Sequence, residues 1–162
     1  MSTAPESLQP CLSDSPLAAD VARGVTRLFC RQELFTICEV PLPNGRRADM
    51  MGVDSKGNLT IVEIKVAKAD LLGDCKWTDY LDFCDHFYWA VSPQLASILD
   101  GEGFLPSEAG LIVADRYDAA LVREAAHRPL AAARRKAELL RFARRAARRL
   151  SEQLDPSLGM AS

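Results

Sequence analysis

Glu63 and Lys65 stand two residues apart in the run Leu59-Thr60-Ile61-Val62-Glu63-Ile64-Lys65-Val66, which is otherwise apolar apart from Thr60. An unpaired carboxylate or ammonium loses its hydration inside a packed sheet, so such strands normally exclude charge. A strand has a side-chain period of two, which puts this acid and this base on one face. Asp49 lies one hairpin upstream. It stands opposite Glu63 if the connecting loop has an odd number of residues, such as 54–58. A one-residue slip would send the two carboxylates to opposite faces. Two carboxylates supply hard oxygen ligands, which suit Mg²⁺ or Mn²⁺ rather than zinc, and the backbone carbonyl of Ile64 can add another. A cation so held polarises a phosphorus centre and acidifies a bound water. Lys65 would orient that water or stabilise the developing negative charge. The pattern points to phosphodiester hydrolysis with Asp49, Glu63 and Lys65 as the catalytic group. The competing explanation is a structural ion pair at a sheet edge, because the three charges also compensate one another without metal.

Context, not spacing, selects this triplet. Asp54/Lys56 and Asp74/Lys76 have the same acid-x-lysine spacing, but the first falls in an expected turn and the second in an expected helix. Neither has a strand to hold two side chains on a common face.

The elements that must position the triplet are legible around it. Ser13, Asp14 and Ser15 offer helix caps before Pro16, and Leu17, Val21, Val25 and Leu28 recur at helical spacing to about residue 31. Three strands are expected over 34–42, 47–53 and 59–66, joined by tight turns at Asn44-Gly45 and 54–58 into an antiparallel meander. A helical stretch follows over 68–84, in one piece or two around Gly73, with Trp77, Tyr80, Leu81 and Cys84 on one face. An aromatic strand over 87–91, a short helix over 94–99, strands over 110–115 and 119–123 and a long helix over 130–150 complete the pattern. The order predicts an α/β or α+β domain, a mixed β-sheet flanked by helices. It is expected to occupy residues 15–152, between a flexible tail at 1–14 and a frayed tail at 153–162.

The 162 residues suffice for one hydrophobic core, and the formal net charge of −2 excludes a chain that is basic throughout. That balance hides an asymmetry, because residues 134–149 contain eight cations and one acid, Glu138. Any polyanion contact should therefore be local. Five cysteines, at 11, 30, 38, 75 and 84, are odd in number and lack metal-knuckle spacing, which favours reduced thiols in a cytoplasmic protein. No apolar run has the length to cross a bilayer, and no membrane partner is expected.

Arg46 and Arg47 flank Asp49 and suit phosphate contact, since guanidinium groups bind phosphate oxygens bidentately. On a helical wheel, Leu139, Leu140, Ala143, Ala146, Ala147 and Leu150 form one side of the last helix. Arg134, Arg141, Arg145, Arg148 and Arg149 form the other. A helix docked on the sheet by its apolar side, with the arginines turned to DNA or simply to water, is expected. Core packing is expected of Trp77 and Tyr80. His86 and His127 stand apart from any other ligand-type residue.

Helix–strand–strand–strand–helix–strand, with Asp49 on the second strand and Glu63-x-Lys65 on the third, resembles the PD-(D/E)xK nuclease superfamily, whose core is restriction-endonuclease-like. Within it, Gly45-Arg46-Arg47-Ala48-Asp49, Ile61-Val62-Glu63-Ile64-Lys65, Lys76-Trp77-x-Asp79-Tyr80, Asp82-x-Cys84-Asp85, Gly110-Leu111-Ile112-Val113-Ala114-Asp115 and Ala132-Ala133-Arg134-Arg135-Lys136-Ala137 resemble the MmcB-like DNA-repair family. The similarity runs from Leu17 to Leu150. Ala48 replaces the superfamily's proline, at a position that shapes the strand rather than performing chemistry. The resemblance implies a metal-dependent nuclease fold serving DNA repair, with DNA and other repair proteins as partners. It also implies a substrate-contacting or structural polar residue at the start of the helix after the motif, where Lys76 stands either to meet phosphate or as a solvated first-turn lysine. It leaves open a DNA-binding module or structural subunit that does not cut, and the oligomeric state, a homodimer included.

Overall fold

A computed structural model describes residues 16–72, 76–99 and 108–160. The chain opens with α1 (Pro16–Arg31) and continues through the meander β1 (Phe35–Pro41), β2 (Arg47–Val53) and β3 (Leu59–Lys65). After α2 (Lys68–Leu72) and a 3₁₀ helix (Trp77–Phe83) come β4 (His86–Val91), α3 (Pro93–Leu99), β5 (Gly110–Ala114), β6 (Ala119–Arg123) and α4 (Ala132–Leu154). The six strands lie in sequence order in one sheet. β1–β2, β2–β3 and β5–β6 are antiparallel, whereas β3–β4 and β4–β5 are parallel. This is the mixed, helix-flanked sheet expected from the sequence.

Two apolar layers hold it. On one face α1 buries Val21, Ala22, Val25, Leu28 and Phe29 against Met50, Val62, Ala90 and Ile112. Gly24 lets this helix approach the β5–β6 turn, because a Cβ there would lie 2.1 Å from the Asp115 carbonyl oxygen. On the other face Leu59, Ile61, Phe87, Trp89 and Val91 meet Tyr80 and Phe83 of the 3₁₀ helix, Leu71 of α2 and Leu95 of α3, with Leu139 and Phe142 of α4 packed alongside.

Three elements differ from expectation. The segment read as helical over 68–84, in one piece or two around Gly73, begins as α2 and ends as a 3₁₀ rather than an α-helix, with 73–75 outside the described residues. A 3₁₀ helix has three residues per turn, so Trp77, Tyr80 and Phe83 share its inward face; Tyr80 and Phe83 are buried. The last helix runs to Leu154, and Pro156–Met160 form a further 3₁₀ turn where a frayed tail was expected.

The third difference is how α4 docks. Its inward residues are Arg135, Glu138, Leu139, Phe142, Arg145, Ala146 and Arg149. Leu140, Ala143, Ala147 and Leu150, expected against the sheet, are exposed. Polar anchors rotate the helix. The Arg135 guanidinium donates to both carboxylate oxygens of Asp85 and to the Gly57 carbonyl. Arg149, at the other end, donates to the carbonyls of Cys38 and Glu39 on the edge strand β1. Those bonds also cover acceptors that an edge strand would otherwise offer to another chain.

Candidate active site

The hairpin between β2 and β3 sets the register. Asp54 folds the turn by accepting from the amides of Lys56 and Asn58 and the Asn58 side chain, and Gly57 takes φ +82°. Val53 therefore pairs with Leu59 across a five-residue loop, and the ladder runs to Met50 opposite Val62. One step further, Asp49 stands opposite Glu63, the register the sequence argument requires. Here side chains take over from the ladder. The Asp49 amide donates to Glu63 Oε1 at 3.0 Å, and the Ile64 amide donates to Asp49 Oδ2 at 2.8 Å. These bonds hold both carboxylates at the carboxyl end of β3, although Glu63 is only 5% exposed.

Burial pushes the Asp49 carboxyl above the ordinary carboxylate range. The Ile64 amide and the cations of Lys65 and Arg47 pull it back, and the negative charge of Glu39 pushes it further up. Lys65 is half-buried, with Nζ 5.7 Å from the ring centroid of Trp89. Trp89 pairs with Glu63 in the parallel β3–β4 ladder. Asp49, Glu63 and Lys65 thus share one corner of the sheet.

Glu39 is a member of this corner that the sequence reading overlooked. Cys38 pairs with Met50 and Val40 with Ala48, so Glu39 occupies the row beside Asp49. Its φ of +51° is left-handed, unusual for a residue with a side chain. Cys38 consequently faces the α1 layer while Val40, two residues on, faces the opposite one. The two Arg149 bonds hold this kink in place. A carboxylate inside the apolar run Phe35-Thr36-Ile37-Cys38-Glu39-Val40 is the same signal that marks Glu63.

The cations expected to meet DNA divide into groups. Arg46 is committed to Asp79, with Nε 3.1 Å from Oδ2, and Asn44 binds the Asp79 carbonyl. Arg47 extends into solvent, its nearest acid being Glu39 at 3.9 Å. Lys76 is exposed just before the 3₁₀ helix. Arg134 lies over the Phe83 ring, 4.9 Å from its centroid. Arg141 bonds to Glu138, and Arg148 to Glu152 at 2.7 Å. Arg145 is half-buried. Its acidity is raised by burial and by the charges of Arg149 and Arg148, so its pKa falls below the usual guanidinium value. Arg141, Arg144, Arg145 and Arg148, with Ala147, line a groove of about 500 Å³. Arg144 belongs to it and was absent from the expected set. Arg149, grouped with the outward arginines on the wheel, faces β1 instead.

Other motif residues serve the fold. Asp85 is 1% exposed and accepts from the amides of Leu59 and Leu130 as well as from Arg135. Burial pushes this carboxyl up, but Arg135 and the two amides outweigh it and hold it below the ordinary range. His86 and His127 stack on one another, centroids 4.8 Å apart. Trp77 packs on Phe87 and Trp89. Among the described residues, no group of three or more His, Cys, Asp or Glu side chains is arranged to hold a metal ion, and no helix is long and apolar enough to cross a membrane.

Fold and site together define an α+β protein with an acid pair and a lysine at one corner of a six-stranded mixed sheet. The DNA repair protein MmcB-like family matches residues 7–157, and the chain belongs to it. Among solved structures, the chain is similar to a protein of unknown function, SPO1766 from Silicibacter pomeroyi, at 41% identity over 89% of this chain and 95% of that one, with a TM-score of 0.79. No curated protein matches the chain. A DNA-repair role follows from the family.

Proposed function

We propose that the protein hydrolyses DNA phosphodiesters in repair, using Mg²⁺ or Mn²⁺ held by Asp49 and Glu63, as in PD-(D/E)xK nucleases with restriction-endonuclease-like cores. The observation that carries this reading is the half-buried Asp49, held by the Ile64 amide opposite Glu63 and sharing the corner with Lys65. Both acids offer hard oxygens, which fit a small divalent cation, and the Ile64 carbonyl is the third expected donor. A bound cation would polarise the phosphate and lower the pKa of water. The chain's own residues do the rest. The Ile64 and Asp49 amides orient the two carboxylates. Lys65, positioned over Trp89, orients the attacking water or stabilises negative charge developing on phosphorus oxygens. Arg47, Lys76, Arg134 and the groove of Arg141, Arg144, Arg145 and Arg148 bind phosphates, and Arg46 stiffens the hairpin beside them through Asp79.

One observation favours a second reading. Among the described residues no group of three or more metal-ligand side chains, Glu39 included, is arranged to hold a metal ion, which suits a DNA-binding repair module that does not cut. Cleavage of gapped, branched, crosslinked and single-stranded DNA in Mg²⁺ or Mn²⁺ separates the two. Hydrolysis that disappears in Glu63→Gln and Lys65→Ala supports the nuclease. Metal-independent binding with no hydrolysis, weakened by Arg144→Glu and Arg145→Glu, supports the module.

A further inference from the structure

The face of α4 turned away from the sheet is apolar and exposed, and it adjoins the arginine groove at Ala147. Leu140, Ala143, Ala147, Leu150 and Leu154 recur at intervals of 3, 4, 3 and 4 residues, the spacing of a helix-pairing seam. All five are exposed, with Leu140, Leu150 and Leu154 at 59%, 57% and 80%. The seam extends about 21 Å at 1.5 Å per residue. On a wheel it centres roughly 120° from the inward face, on the opposite flank from Arg141 and Arg148.

We infer that this seam pairs with the same seam of a second copy of the chain, antiparallel, with Ala147 on the two-fold axis. The sequence is self-complementary about that residue. Leu140 then meets Leu154 of the second copy, and Ala143 packs beside Leu150, large against small, staggered by one residue or about 1.5 Å. Ala147 meets itself, which lets the backbones approach closely. Charge fits this occupant and this direction. Arg144, flanking the seam, falls opposite Ser151, so no arginine faces another arginine across the pair. Lys136 arrives just past the carboxyl end of the opposing helix, about three residues beyond Asp155, where the helix dipole favours a cation. Parallel pairing would instead set Lys136, which continues the seam, against Lys136. This inference stands on the seam alone and is independent of metal or cleavage.

Sedimentation velocity on the full chain tests it. A helix pair of this length buries little area, so a reversible dimer is expected, dissociating at about 10 µM. Ala147→Arg, at an exposed helical position that tolerates arginine, is expected to weaken it by about 100-fold with unchanged circular dichroism. Oxidation of Ala147→Cys should give a covalent dimer, read against the wild-type chain and its native thiols, while Leu140→Cys and Leu154→Cys alone should not. A wild-type chain that stays monomeric to about 200 µM, well above the expected constant, overturns the inference. So does a dimer unaffected by Ala147→Arg, or crosslinking as efficient at Leu140→Cys as at Ala147→Cys.

Discussion

Asp85 and Asp49 are both carboxylates held against backbone amides of β3, yet they have opposite fates. Asp85, near the start of the strand, receives two amides and a bidentate guanidinium, and its pKa is driven down. Asp49, near the other end, receives one amide beside the charges of Lys65 and Arg47, and its pKa is driven up by burial. The first is a finished structural clamp tying β3, β4 and α4 together. The second is a half-buried acid whose charged form burial disfavours, a condition that a bound cation would relieve.

Breaking the clamp should therefore cost far more stability than altering the site. Arg135→Ala leaves Asp85 buried without its counterion and is expected to destabilise by about 3–5 kcal/mol, measured by urea unfolding. Arg149→Ala removes two charge-assisted bonds to β1 and releases the Glu39 kink, for a loss of about 1–2 kcal/mol. Asp49→Asn should change stability by less than about 1 kcal/mol at neutral pH, and in the favourable direction.

The pH dependence sharpens the same contrast. Asp85 has a depressed folded-state pKa, so its contribution is present above the unfolded value of about 3.9 and lost as pH falls through the folded one. Asp49 has a raised folded-state pKa, so stability falls as pH rises from the unfolded value through the folded one. Asp85→Asn should flatten the acid limb of the stability curve. Asp49→Asn should instead flatten its approach to neutrality, and both are read from urea midpoints across pH. The smallest effect is on salt dependence. Removing Arg144 and Arg145 should lower the slope of log binding constant against log salt by about two for duplex DNA.

The site was legible because strand periodicity and an odd-numbered turn suffice to bring Asp49 opposite Glu63. The order of strands was legible for the same reason, since β-branched runs and Asn-Gly or Gly-Asn turns punctuate them plainly. The orientation of α4 was not. A helical wheel assigns the apolar side inward, but the bonds of Arg135 to Asp85 and of Arg149 to Cys38 and Glu39 are long-range and polar, and they turn that side to solvent. Glu39 was missed although it carries the signal that flagged Glu63. Its left-handed backbone depends on an arginine 110 residues away.

Metal-dependent cleavage by the wild-type chain, compared with Glu63→Gln, tests the central claim most directly. The account predicts DNA hydrolysis in Mn²⁺ or Mg²⁺ that chelation abolishes and that Glu63→Gln reduces by at least about 100-fold, with DNA binding retained. Equal hydrolysis by the two proteins, or none by the wild type across the substrate panel, would contradict it.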